Sequence, residues 1–391
     1  MHRLKLFMFP LIGLLALTLL VFARMGMGNA FAASQAVPLN NCGHWVVNAS
    51  PNPGTSNVLD GVSATDSDNV WAVGYADNQT LTERWGGAAW KVIPSANESA
   101  QNQLVAVAVV SEKNVWAVGS NGDPLGISQA MAEQWNGRVW SLAAVPTTGA
   151  SSQFTSVARV PGSSNVWAVG HSTDVSSIDH TLIEYWNGTV WSIVPSPDGS
   201  ANGSDLLGVT AISANNAWAV GTFTDNSSNN ESLIEHWNGH AWKVVTSPNI
   251  EGNGVLWSVA GVPNSNHAWA VGTYFDSISN FNQTLIAYWN GSSWSAVTSP
   301  NVAGINNDLF SVAVNSAKDI WAVGITFDNS GGNHAMTIHW NGSSWSIVSS
   351  PDVQGDSYLT SVTHVPQSST FWAVGTSTSA GNDSTVTERF C

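Results

Sequence analysis

One tetrapeptide, Trp-Ala-Val-Gly, returns seven times along this chain of 391 residues, starting at Trp71, Trp116, Trp167, Trp218, Trp269, Trp321 and Trp372. The intervals are 45, 51, 51, 51, 52 and 51 residues. A period of this size marks an array of one supersecondary unit, not a string of unrelated domains. A second motif follows each of the first six copies: Trp, then Asn or Gly, then Gly, two variable residues and Trp. Its Trp pairs are 85/90, 135/140, 186/191, 237/242, 289/294 and 340/345.

One period reads as four strands. In the fourth, Leu206 to Ile212 is strand A, Ala217 to Phe223 strand B, Ser232 to Trp237 strand C and Ala241 to Val245 strand D, ended by Thr246-Ser247-Pro248. The segments are short, β-branched or aromatic, and bounded by Asn, Gly, Ser and Pro. Asn238-Gly239 between C and D is a hairpin signal. Four antiparallel strands repeated seven times predict an all-β, seven-bladed β-propeller. This also accounts for an unusual composition, with 21 Trp and 43% hydrophobic residues but only 9% charged. Stacked blades need bulky cover on both faces of every sheet. Seven Trp come from the tetrapeptide, six open the second motif and seven close it (Trp45 included), which leaves Trp257 alone outside the pattern.

The seventh repeat stops after strand C, at Phe390-Cys391. Cys42-Gly43-His44-Trp45-Val46-Val47, followed by Ser50-Pro51, has the form of the missing strand D. The N-terminal strand is therefore expected to complete the C-terminal blade, with the propeller spanning 42–391 after a short lead at 33–41. Phe390 takes the first Trp place of the motif, Cys391 the Asn place and Cys42 the Gly place. A Cys42–Cys391 disulfide is expected there, replacing the peptide connection of the other blades. Free or intermolecular thiols are the alternative.

Residues 1–32 read as a signal peptide: Arg3 and Lys5, an apolar run from Leu6 to Ala23, and Ala30-Phe31-Ala32 before the cut. An uncleaved membrane anchor is the other reading. Either way the remainder is expected to be exported, secreted or at the cell surface, where a disulfide persists. Without Arg3, Lys5 and Arg24 of the leader, 8 basic residues stand against 26 acidic ones. Such a chain repels phosphate backbones, so no nucleic-acid partner is expected, and a membrane only through an uncleaved leader. A monomer is expected.

In a propeller the A–B and C–D turns share one face, the B–C and D–A connections the other. The former read as tight. The latter read as long and polar, as in Thr224 to Glu231 and Pro197 to Asp205, which makes theirs the candidate binding face. Asp174, Asp225, Asp276 and Asp328 each lie four residues after a tetrapeptide glycine. They could ring a Ca²⁺ ion or sugar hydroxyls, or simply cap Asx-turns. Trp257 is a candidate ligand platform, with blade packing as the plainer role. Its equivalents are Asp60, Val105, Thr155, Leu207, Phe310 and Thr360. Glu83, Glu133, Glu184, Glu235 and Glu388 recur two places before the strand-C aromatic, where repetition argues for structure. An indole N–H or a backbone amide is the expected partner.

The two motifs together resemble the tryptophan-rich propeller repeats of exported bacterial proteins, over about residues 42 to 391. The C–D hairpin is also similar to the Asp-box of sialidase-type propellers, with Gly188 three residues before Trp191, although Trp186 stands where the box has Asp. A sialidase resemblance would imply an arginine triad near the axis. Arg84 and Arg389 occupy equivalent strand-C places and Arg138 a C–D turn, so convergence is not expected. His180, His236 and His334 are scattered and form no zinc-spaced set. The expected function is a non-catalytic scaffold for a glycan or protein ligand, without a required cofactor. A propeller-type glycoside hydrolase or lyase, and a cell-surface structural or assembly factor, are the alternatives.

Overall fold

The structure, a computed structural model, describes residues 43–123, 127–146, 148–248, 253–328, 331–351, 353 and 355–391. The chain divides into Met1–Asn40 and Asn41–Cys391, and the described residues belong to the second unit. The leader and Cys42 lie outside them. Among the described residues there are 28 strands and no helix, arranged as seven four-stranded antiparallel sheets. Each strand A lies against the strands A of the two neighbouring blades, so these strands form the inner ring. The molecule is a seven-bladed β-propeller.

The strands run further than composition suggests. In blade 4 they are Ser204–Ser213, Asn216–Thr224, Asn230–Trp237 and Trp242–Val244. Thr224 pairs with Asn230, so the B–C connection shrinks to residues 225–229. Polar residues stay in the ladder, Thr224 and Asn230 half-buried and Ser204 and Ser232 buried. The irregular chain of that face therefore lies mainly in D–A, as at residues 194–203 and 297–305. The A–B turns are not uniformly tight: those of blades 3, 5 and 7 occupy residues 160–165, 262–267 and 365–370. The C–D turn is a four-residue loop rather than a two-residue hairpin. Asn187 Oδ1 accepts from the amides of Thr189 and Val190 at 2.9 and 3.0 Å, and Gly188 takes φ +98°.

The tetrapeptide's last residue must be glycine. Every strand A carries a β-bulge opposite it, as between Leu206 and Gly208. A Cβ on Gly221 would stand 1.9 Å from the Asp205 carbonyl oxygen, and the same contact is 2.0 Å at Gly74 and 1.9 Å at Gly272. The alternation of the strand then divides the other three residues between two junctions. Trp71 and Val73 join the core shared with blade 2, while Ala72 joins the core shared with blade 7.

Each junction holds at least three aromatic rings. The strand-B Trp of one blade meets the strand-C and strand-D aromatics of the next. Trp218 lies 4.7 Å from Trp289 and 5.2 Å from Trp294, the latter edge-on at 89°. Such T-shaped pairs add about 0.5–1.5 kcal/mol to the burial itself. At the last junction Trp321 meets Phe390 at 4.4 Å and Trp45 at 5.2 Å. Trp45 belongs to the N-terminal strand Trp45–Asn48, which pairs antiparallel with the C-terminal strand Asn382–Phe390. The ring is thus closed by one strand from each end of the propeller. The Gly43 amide donates to the Cys391 carbonyl oxygen at 2.9 Å, continuing the pairing. The left-handed residue of this turn is Gly43, at φ +105°, one place later than the motif spacing puts it.

Candidate functional site

The four turn aspartates each seal their own B–C turn. Asp174 Oδ1 accepts from the Ser176 and Ile178 amides at 2.7 and 3.0 Å. Asp225 Oδ1 does the same with Ser227 and Asn229 at 2.7 and 2.8 Å. Asp276 accepts from Ile278 at 2.9 Å and Asp328 from Gly332 at 2.8 Å. These bonds hold Asp174 and Asp225 below the ordinary carboxylate range, and side-chain and amide bonds from Ser279 and Ile278 do so for Asp276. Asp123 follows its glycine at the same offset, and it accepts from the Ile127 amide at 2.9 Å. Among the described residues, none of these aspartates belongs to a cluster that could grip one ion.

Trp257 and its six equivalents are the extra residues of the seven strand-A bulges. A bulge residue has no partner across the ladder, which is why the place tolerates Asp, Val, Thr, Leu, Trp and Phe. Trp257 is half-buried and packs edge-on against Phe310 of the next blade, with ring centroids 6.0 Å apart. Thr155 and Thr360 use the same place to bond the next blade's backbone, at Leu206 O and Leu59 O, 2.7 and 2.8 Å away. Asp60 is the one acid in the series. Burial pushes its carboxyl up to about 7. It faces Tyr75 and Tyr358, whose phenols are raised by burial first and by Asp60 second.

The five repeated glutamates are fully buried, and their partner is neither an indole nor, in the main, an amide. Glu83 accepts from Ser50 at 2.6 Å, Glu133 from Ser95 at 2.5 Å and Glu388 from Ser350 at 2.8 Å. Each serine stands five residues after a strand-D Trp, in the preceding blade's exit. Burial lifts these three acids to about 7, against the lowering effect of the serine. Glu184 and Glu235 lack that bond, and burial lifts them to about 8. The structure therefore places these acids between blades, away from any solvent-open site.

Arg84 and Arg389 also lie between strands, over the rings of Trp71 and Trp372 at 5.5 and 5.9 Å. They form cation–π contacts rather than a triad at the axis. Two clefts, of about 290 and 260 Å³, lie along blade 5: one beside Ser299 and Asn301, the other beside Trp340 and Gly342. Neither contains a cluster of titratable groups.

Polar groups do converge at the inner ends of blades 3 and 4. His171 follows the tetrapeptide of blade 3, Asp179 opens that blade's strand C, and Asp205 lies in strand A of blade 4. His171 Nδ1 is 3.1 Å from Asp205 Oδ1. Burial raises the Asp205 carboxyl, and His171 opposes the rise. Sequence spacing hides this group, because its members come from two repeats. Nearby, His180 bonds Asp198 at 2.8 Å, which holds its imidazole above the ordinary range. The same face exposes two aliphatic side chains at B–C turns, Val175 at 94% and Ile278 at 87%.

No protein-family model matches the chain, and no curated protein matches it in sequence. Among solved structures, the Aleuria aurantia lectin in complex with Fucα1-6GlcNAc has a TM-score of 0.47 at 13% identity, over 75% of this chain and 95% of that one. YCF48 bound to D1 peptide has a TM-score of 0.51 at 13% identity, over 91% of this chain and 99% of that one. YCF48 from Cyanidioschyzon merolae has a TM-score of 0.52 at 13% identity, over 89% and 98%. At this identity the likeness to YCF48 is one of fold: the chain is a β-propeller, as those structures are.

Proposed function

We propose that this chain is an exported, monomeric binding scaffold, without catalysis of its own, that holds a protein or glycan ligand on the face of its B–C turns and D–A connections. One observation carries the reading. The interior repeats from blade to blade, whereas at the inner edge of this face His171 and Tyr358 have no like residue at the same place in the other blades. Rigid blades presenting variable connections suit recognition. A polypeptide ligand is favoured by the exposed Val175 and Ile278, since burial of apolar surface drives protein–protein association. That a YCF48 structure carries a D1 peptide is in keeping with it. The leader is cleaved before Ala33 in this reading, and Cys42 is joined to Cys391.

Parallel glycan and peptide arrays, followed by titration of any hit, test the proposal. Saturable binding that is lost in the Val175→Asp/Ile278→Asp double variant, at unchanged melting temperature, supports it. Turnover of chromogenic glycosides, abolished by replacing a single carboxylate, overturns it.

A further inference from the structure

We propose that His171, Asp179 and Asp205 form a binding site for one divalent transition-metal ion of the zinc type, clamping blade 3 to blade 4 at the inner edge of the binding face. One donor atom from each residue lies within 4.8 Å of the others. Two of them, His171 Nδ1 and Asp205 Oδ1, are cut off from solvent and make no hydrogen bond. They stand 3.1 Å apart, each on a side chain only about one-sixth exposed, at 15% and 16%. A plain histidine–aspartate pair at that distance would align an N–H with the carboxylate. These atoms instead face each other unaligned, as two ligands of one ion do. With metal–ligand bonds of about 2.0–2.1 Å, tetrahedral ligand atoms sit about 3.3–3.4 Å apart; the 3.1 Å pair is within a few tenths of that, and the Asp179 oxygen, within 4.8 Å, has a short way to close on binding.

The supporting contacts fit. The Thr173 hydroxyl donates to Asp179 Oδ1 at 2.7 Å and fixes that carboxylate, as outer groups around metal ligands do. An imidazole nitrogen with two carboxylates suits zinc, manganese or cobalt, whereas calcium and magnesium take oxygen alone. The place is also singular. At the junctions where His171 meets Asp205 in blades 3 and 4, the other blade pairs carry Tyr75 with Gln103, Ser120 with Gln153, Thr222 with Val255, Thr273 with Asp308, Ile325 with Tyr358 and Thr376 with Val58. A feature serving the fold would recur with the blades. The neighbouring His180 is different in kind. Its Nδ1 meets Asp198 and its Nε2 meets Asp174, so opposite edges of one ring are used and no single ion can join the three.

The test is calorimetric titration of tag-free, chelator-treated protein with Zn²⁺, and with Co²⁺ for its visible spectrum. The expected result is one saturable site per chain, a higher melting temperature with metal, and loss of both in His171→Ala and Asp205→Asn. His180→Ala is expected to bind as the wild type does. Tryptophan fluorescence and the metal-free melting temperature establish that each variant is folded. Should either fail that check, Asp179→Asn, expected to bind at least tenfold more weakly, provides the reading. No saturable Zn²⁺ binding by the wild type overturns the proposal. So does binding unchanged in the folded variants, loss through His180→Ala alone, or displacement of Zn²⁺ by equimolar Ca²⁺.

Discussion

Glu184 and Val145 explain each other. In three blades a buried glutamate meets a serine from the preceding blade's exit; before Glu184 that place holds Val145. Before Glu235 the serine is Ser196, which bonds Thr181 at 2.7 Å instead. A carboxyl buried without a partner stays protonated, and its folded-state value of about 8 lies above the ordinary 4.5. The group's contribution to stability is therefore fully present below pH 4.5 and lost as pH rises to about 8, at up to roughly 1.4 kcal/mol per pH unit. Glu184→Gln cannot ionise. It is expected to melt above the wild type at pH 8.5 and level with it at pH 5, by thermal unfolding at both pH values; an offset equal at both would refute the account. Val145→Ser is expected to lower the Glu184 titration midpoint, read from its side-chain carboxyl carbon by NMR. Asp174, Asp225 and Asp276 act in the opposite sense. Their lowered values give stability above the ordinary carboxylate range that is lost as pH falls through it.

At the level of the strand, the tetrapeptide is four separate requirements in a row. Tryptophan and valine cover one junction, alanine the other, and glycine clears the bulge of strand A. Gly272→Ala would drive a Cβ to 1.9 Å from the Val255 carbonyl oxygen, which is backbone and cannot swing aside. Soluble yield and urea unfolding should show a severe loss, larger than that from Gly86→Ala, where an added Cβ meets no atom within 4 Å. Trp218 is 1% exposed and touches two tryptophans of the next blade. Trp218→Ala is expected to cost about 3–5 kcal/mol in chemical denaturation. Trp257→Ala should cost less, since that ring is half-buried at a bulge. The blades, their strand order and the Trp triads are legible because each repeats at a fixed spacing. The Ser–Glu bonds are not, because Ser50 and Glu83 belong to different blades and meet only once the sheets stack.

For the whole molecule, the seam decides whether seven sheets make a ring or an open stack. Removing residues through Asn48 would strip Trp45 from Trp321 and Phe390 and leave the strand Asn382–Phe390 with a bare edge. Such edges invite pairing with another chain, so the truncated protein is expected to melt lower and to associate, by scattering and size-exclusion chromatography. The disulfide is tested separately. Intact oxidised protein should lack two hydrogens by mass, and Cys391→Ser should shift the urea midpoint down. The chain-entropy model caps that effect at about 6 kcal/mol for a loop of roughly 350 residues. Equal midpoints for the oxidised wild type and Cys391→Ser would remove the bond from the account.

The amino-acid order by itself determined the number of blades, their four-stranded make-up and the source of the closing strand. Each of these follows from short-range patterns, the alternation within a strand and the turn residues at its ends. Tertiary structure alone decided which residues break the repeat to some effect. His171 and Asp205 are 34 positions apart and belong to two blades, and only the stacking of sheets sets them 3.1 Å from each other. The same stacking turned the repeated glutamates into buried acids, whereas the turn aspartates cap their own turns through bonds two to four residues away. A pattern along the chain records what a strand needs, whereas a site needs side chains from strands that the pattern treats as alike.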